Sequence, residues 1–197
     1  ESDDGLHWRK PALRQREVNG SWENNIVTLD PALDWPANAI CNVVYDPDDA
    51  DASRRFKGLA HCFGREPVVS PDGIHWRKLE ATPIPSADES NLHYDRQTRT
   101  FLATVKHDGP HGRSVYLSTS TDFTHWTEPA LLFHADDLDQ QLGRVNIARR
   151  FANPALQRPA FDIPASYNVD VYNMGLFRYE GLYLGLPSIY HKAGQVS

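Results

Sequence analysis

A seven-residue phrase occurs three times in this chain, and it constrains the fold more than any bulk property does. Ser2-Asp3-Asp4-Gly5-Leu6-His7-Trp8 returns as Ser70-Pro71-Asp72-Gly73-Ile74-His75-Trp76, and in looser form as Ser120-Thr121-Asp122-Phe123-Thr124-His125-Trp126. Asp-Gly between apolar-alternating runs signals a hairpin, because Gly accepts a positive φ and Asp caps the turn. The Trp that follows opens a strand with a large ring to bury. A spacing of roughly 50 to 70 residues accommodates about four short strands with their turns, the size of a β-propeller blade.

Period-two runs surround each copy. Ala39 to Tyr45, Phe56 to Phe63, Phe101 to Val105 and Ser114 to Ser118 read as strands. Polar turn clusters, Asp46-Pro47-Asp48-Asp49 and Asp95-Arg96-Gln97-Thr98-Arg99, separate the paired runs. One window, about Ala135 to Phe151, carries a helical pattern and reads as an excursion with a short helix. The expected fold is all-β: a five-bladed propeller of four-stranded antiparallel blades, forming a single domain over 1–197. Residues 1–17 are expected to be outer strands of one blade, 22–84 and 86–134 two full blades, and 167–197 the opening of a further one. The excursion takes 135–165. Because propellers close with about four or more blades, two full and two partial ones read as a fragment of a larger ring.

Bulk properties narrow the function classes. The chain of 197 residues is 40% hydrophobic and 23% charged with a net charge of −6, the profile of a globular protein. No block of Lys and Arg favours nucleic acid or an anionic membrane, and no apolar run reaches the ~18 residues of a spanning helix. Cys41 and Cys62 leave one bridge or two buried thiols open. Five Trp, 8 Tyr and 8 Phe suit sheet faces and carbohydrate platforms. Phosphate-loop, His-Glu-x-x-His and Gly-x-Ser-x-Gly motifs do not occur, so nucleotide and serine-hydrolase chemistry lack support.

The repeated motif, the lead-in Asn19-Gly20-Ser21-Trp22-Glu23-Asn24-Asn25-Ile26-Val27 and the segment Phe177-Arg178-Tyr179-Glu180-Gly181-Leu182-Tyr183-Leu184-Gly185 together resemble the five-bladed β-propeller glycoside hydrolases. The likeness is to proteins similar to the N-terminal domain of family 32 and to its neighbour family 43. It implies a pocket at one end of a central tunnel, with carboxylates on the innermost strands of different blades. It also implies a carbohydrate substrate, no obligatory organic cofactor, a structural calcium as an option, and an extracellular or periplasmic setting, although Glu1 to Gly5 has no signal-peptide character. The Trp-Met-Asn-Asp-Pro-Asn-Gly signature of family 32 is not present. A non-catalytic propeller that binds glycans or proteins is therefore the rival, and a phosphorylase with a basic pocket beside its acid is a third reading.

Glycoside cleavage needs one carboxyl to protonate the leaving oxygen and one carboxylate to activate water or attack the sugar. Asp88, before an expected inner strand, is the candidate base or orienting carboxylate, against a turn cap; Glu89 and Asn91 lie beside it as substrate contacts. Asp170, an acid among β-formers, is the candidate proton donor, against a buried Asp paired with Arg. Tyr172 and Asn173 follow it as sugar contacts. Asn24 and Asn25 suit vicinal hydroxyls, against a turn-forming role. His107 and Arg113, in what reads as a loop from His107 to Arg113, and Arg178 complete the substrate-binding candidates. His7, His75 and His125 occupy equivalent places in successive units, which spaces them apart and makes a shared metal ion improbable.

Overall fold

The computed structural model describes residues 1–30 and 39–194. Strands dominate, in three sheets. The first is an antiparallel meander of β2 (Ile40–Tyr45), β3 (Phe56–Ala60), β4 (Phe63–Ser70) and β5 (Trp76–Lys78). A two-residue strand, β1 (Leu29–Asp30), runs parallel to β5 at its outer edge, and β6 (Ile84–Ala87) pairs with the start of β4. The second sheet is the meander β7 (Ser90–Asp95), β8 (Thr100–Gly109), β9 (Gly112–Ser120) and β10 (Ala130–Phe133). The third is the hairpin of β11 (Asn168–Tyr179) and β12 (Leu182–Lys192).

All three copies of the motif fold alike. In the second, Ser70 Oγ accepts from the Gly73 amide at 2.8 Å, while Asp72 Oδ1 accepts from the Ile74 and His75 amides at 2.9 and 2.8 Å. The His75 ring nitrogen sits 2.7 Å from Asp72 Oδ2, and Trp76 Nε1 donates to the Gly73 carbonyl at 2.8 Å. The same bonds recur around Asp4 and Asp122. Gly73 has φ +78°, as the turn requires. The third copy places Phe123 there at φ 65°, a cost of about 1 kcal/mol that burial of the ring against Phe101 and Trp126 offsets. The three histidines are exposed and each bonds its own Asp.

Packing follows the sheet faces. Leu59, Val69, Ile84, Phe101, Ala103, Val105 and Phe123 form one core between the first two sheets, and Leu29, Ala60, Val68 and Trp76 a second. Lys57 is buried, donating to Asp46, Asp49 and the Arg54 carbonyl at 3.0, 2.7 and 2.8 Å, which closes the turn cluster after β2.

Three expectations change. Residues 1–17 hold no strand among the described residues, and Trp8 lies exposed. The segment His107–Arg113 is no loop: β8 runs to Gly109 and β9 starts at Gly112, so only two residues turn. The excursion carries a full helix, α1 (Asp137–Ala152), set by a reciprocal box in which Asp136 accepts from the Asp139 amide and Asp139 from that of Asp136. Both cysteines are free thiols, half-buried. No helix of the described residues is long and apolar enough to cross a membrane.

Candidate functional site

The strands β2, β7 and β11 begin at the same end of the molecule and are tied together by side chains. Ser90 Oγ donates to Asn42 Oδ1 at 2.7 Å, and Asn91 Nδ2 donates to Asn173 Oδ1 at 2.7 Å and to the Met174 carbonyl at 3.2 Å. At this level β2 and β11 depart from regular pairing, and the residue leading into β7 is left-handed. Asn42 has φ 52° inside a register shift between Cys41 and Val44, and the register of β11 on β12 shifts between Val171 and Asn173, across Tyr172. Asp88, two residues ahead of β7, has φ 66°. Bulges and left-handed residues re-aim side chains and concentrate at functional sites.

Asp88 is anchored through its amide, which donates to the Cys62 carbonyl at 2.9 Å, while its side chain stays 54% exposed. One carboxylate oxygen accepts from Lys106 Nζ at 2.9 Å and from the Tyr172 hydroxyl at 3.4 Å. The Lys106 hydrogen bond holds the Asp88 carboxyl below the ordinary carboxylate range; it outweighs partial burial, and Tyr172 and Arg65 reinforce it. Asp88 is therefore an anion at neutral pH. Its charge, with burial and the charge of Glu89, raises the Tyr172 phenol in turn. Lys106 is buried and lies 4.0 Å from the centre of the Tyr172 ring, so the ring shields its ammonium on one side.

Tyr172 also faces Arg113, whose guanidinium carbon lies 4.8 Å from its ring centre and 4.7 Å from that of Tyr190. Arg113 Nε and Nη2 donate to the two oxygens of Asp170, both at 3.0 Å, and Lys192 Nζ lies 2.7 Å from Oδ2. Asp170 is wholly buried. Burial and two cations on its oxygens leave Asp170 no path to a substrate, so the proton-donor expectation gives way to the paired-Asp alternative. Its work is to fix Arg113. Arg65, also buried, donates through Nη1 to the His61 carbonyl, leaves Nε without a partner, and bears on the Cys41 thiol, which burial pushes up in pKa.

Of the residues singled out in the sequence, Asp88, Glu89, Asn91, Arg113, Tyr172 and Asp170 thus gather around the starts of β7 and β11. His107 stands at the edge, its Nε2 2.9 Å from the Pro85 carbonyl and its ring against Tyr116. Arg178 does not join them: it lies at the far end of β11, donating to Asp95 at 2.6 Å. There, burial works against ionisation of Asp95, but hydrogen bonds from Tyr183, Arg178 and Thr98 hold its carboxyl well below the usual range. Asn24 closes the 13–26 loop, donating to the Arg16 carbonyl at 2.8 Å and accepting from Ile26, with Asn25 exposed beside it. The residues that sequence reasoning missed are Lys106, Lys192, Tyr190, Arg65 and Asn42. Lys106 had a signal, a lone charge ending the apolar run Phe101 to Val105.

Among the described residues no group of three or more His, Cys, Asp or Glu is placed to hold a metal ion. Comparison with protein-family models, with curated proteins and with solved structures finds no match for the chain.

Proposed function

We propose that the chain forms part of a five-bladed β-propeller and acts as a glycoside hydrolase on an oligo- or polysaccharide. In this reading β2–β5 and β7–β10 are two blades and β11–β12 the inner half of a third. The observation that carries it is Asp88: an ionised, half-exposed carboxylate on a strained residue at the head of an inner strand. A carboxylate kept ionised activates water or attacks the anomeric carbon; it does not protonate a leaving group at neutral pH. Glu89, half-buried and next to Asp88 in the chain, is the second carboxyl group of the site in this reading. The Asn173 side-chain nitrogen offers a donor, and Asn91 Oδ1 an acceptor, to sugar hydroxyls. No obligatory organic cofactor enters, and the extracellular or periplasmic setting belongs to the same reading.

The test is a screen of the purified protein on aryl furanosides and pyranosides, with Asp88→Asn beside it. Release of the aryl alcohol by the native chain, lost in D88N at an unchanged Tm, is the expected result. Glycan binding without hydrolysis by the native chain overturns the enzyme assignment and leaves a glycan-binding propeller.

A further inference from the structure

The helix α1 and the chain that follows it build a cavity beside the site. Two contacts dock the helix on β11. The Gln140 amide pairs with the backbone of Val169, donating to its carbonyl at 2.7 Å and accepting from its N–H at 2.9 Å. Gly143 lets the helix approach closely, since a Cβ there would lie 2.0 Å from Val169 Cγ2. Between the last turns of α1, the segment around Phe161 and the end of β12 lies a cavity of about 250 Å³. This is smaller than the roughly 300 Å³ at which drug-sized sites begin, so it has room for a single ring.

Its chemistry is one-sided. Arg150, His191 and Lys192 line it together with Asn146, Phe161 and Tyr190, and among the described residues no Asp or Glu does, in a chain with 26 acidic residues against 20 Lys and Arg. Lys192 and Tyr190 also belong to the site, through Asp170 and Arg113 respectively. The cavity is therefore one strand away from the Asp88 cluster.

We infer that this cavity is a subsite for a sugar ring carrying an anionic group, a carboxylate or a sulfate ester, within the substrate of the proposed glycosidase. The inference rests on that reading for the rest of the substrate. Arg150 supplies the countercharge, with Lys192 beside it already paired to Asp170; Tyr190 and Phe161 supply apolar surface for a ring face, and Asn146 pairs with a hydroxyl.

Calorimetric titration of the protein with methyl glucuronide, glucose 6-sulfate, methyl glucoside and inorganic sulfate tests it. At least one charged sugar should bind tenfold or more tighter than the neutral glucoside, and the sugar that does so identifies the anionic group. Inorganic sulfate should bind more weakly than that sugar. Arg150→Ala, checked for an unchanged Tm, should abolish the preference, while Arg150→Lys retains it. Equal binding of charged and neutral sugars, a preference that survives R150A, or sulfate binding as tightly as the charged sugar each overturns the subsite. Hydrolysis of neutral aryl glycosides by the native chain is read separately: its absence, with an Arg150-dependent preference intact, removes the glycosidase reading and keeps the subsite.

Discussion

Asp170 lies in β11 and Asp88 just ahead of β7, with Tyr172 against a cation partner of each, yet the chain treats the two acids in opposite ways. Asp170 is sealed, with both oxygens taken by Arg113 and Lys192. Asp88 is half open to solvent, bonded on one oxygen only, and sits on a backbone that costs free energy to hold. A carboxylate saturated by cations stabilises or positions, whereas one left partly unsatisfied keeps capacity for a substrate. Tyr172 joins the two regions, with Lys106 4.0 Å and Arg113 4.8 Å from its ring centre.

The contrast can be broken most forcefully at Asp88. Asp88→Asn should lower kcat on a cleaved aryl glycoside by about 10³ to 10⁴ while leaving the thermal midpoint nearly in place, because general acid–base groups contribute on that scale and half-exposed acids little to stability. Rate assays beside a melting curve check both halves. Asp170→Ala should do the reverse, costing roughly 3 to 5 kcal/mol of stability in urea titration by leaving Arg113 and Lys192 without their buried anion. Should D170A melt as the native protein does, the positioning role assigned here fails.

A smaller effect sharpens the same comparison through Lys106. The depressed Asp88 carboxyl keeps its charge as pH falls below the ordinary value of about 3.9, so the stability it contributes is present at neutral pH and is lost as pH falls through the folded value. The acidic limb of kcat/KM should accordingly lie below the usual carboxylate range. Lys106→Met removes the main cause and should move that limb to higher pH, with less than about a tenfold loss at pH 7. A pH–rate profile of K106M superimposable on the native one would place the titrating group elsewhere.

The sheets were readable in the sequence because their signals are local. The motif Ser-x-Asp-Gly-x-His-Trp folds through bonds within seven residues, so Asp4 and Asp72 make the same contacts although Trp8 is 73% exposed and Trp76 only 3%. That pair also marks the limit: the turn is encoded locally, but the burial that stabilises it depends on a sheet beneath, which Trp76 has. The site was half legible. Asp88, Glu89 and Tyr172 could be found from their place at strand starts. The role of Asp170 could not, because it turns on Arg113 and Lys192, which are distant in sequence and meet it only across strands. The far-end position of Arg178 follows from the length of β11, twelve residues, which carries it to the turn before β12. The helix cavity escaped because its lining comes from α1, the segment around Phe161 and β12.

The measurement that bears most directly on the central claim is chemical rescue of Asp88→Ala by added formate, on whichever aryl glycoside the native chain cleaves. If Asp88 is the ionised carboxylate that acts at the sugar, D88A is nearly inert and formate restores turnover in a concentration-dependent way, while D170A gains nothing from it. Turnover of D88A equal to that of the native chain, or equal restoration of both variants by formate, would contradict the account.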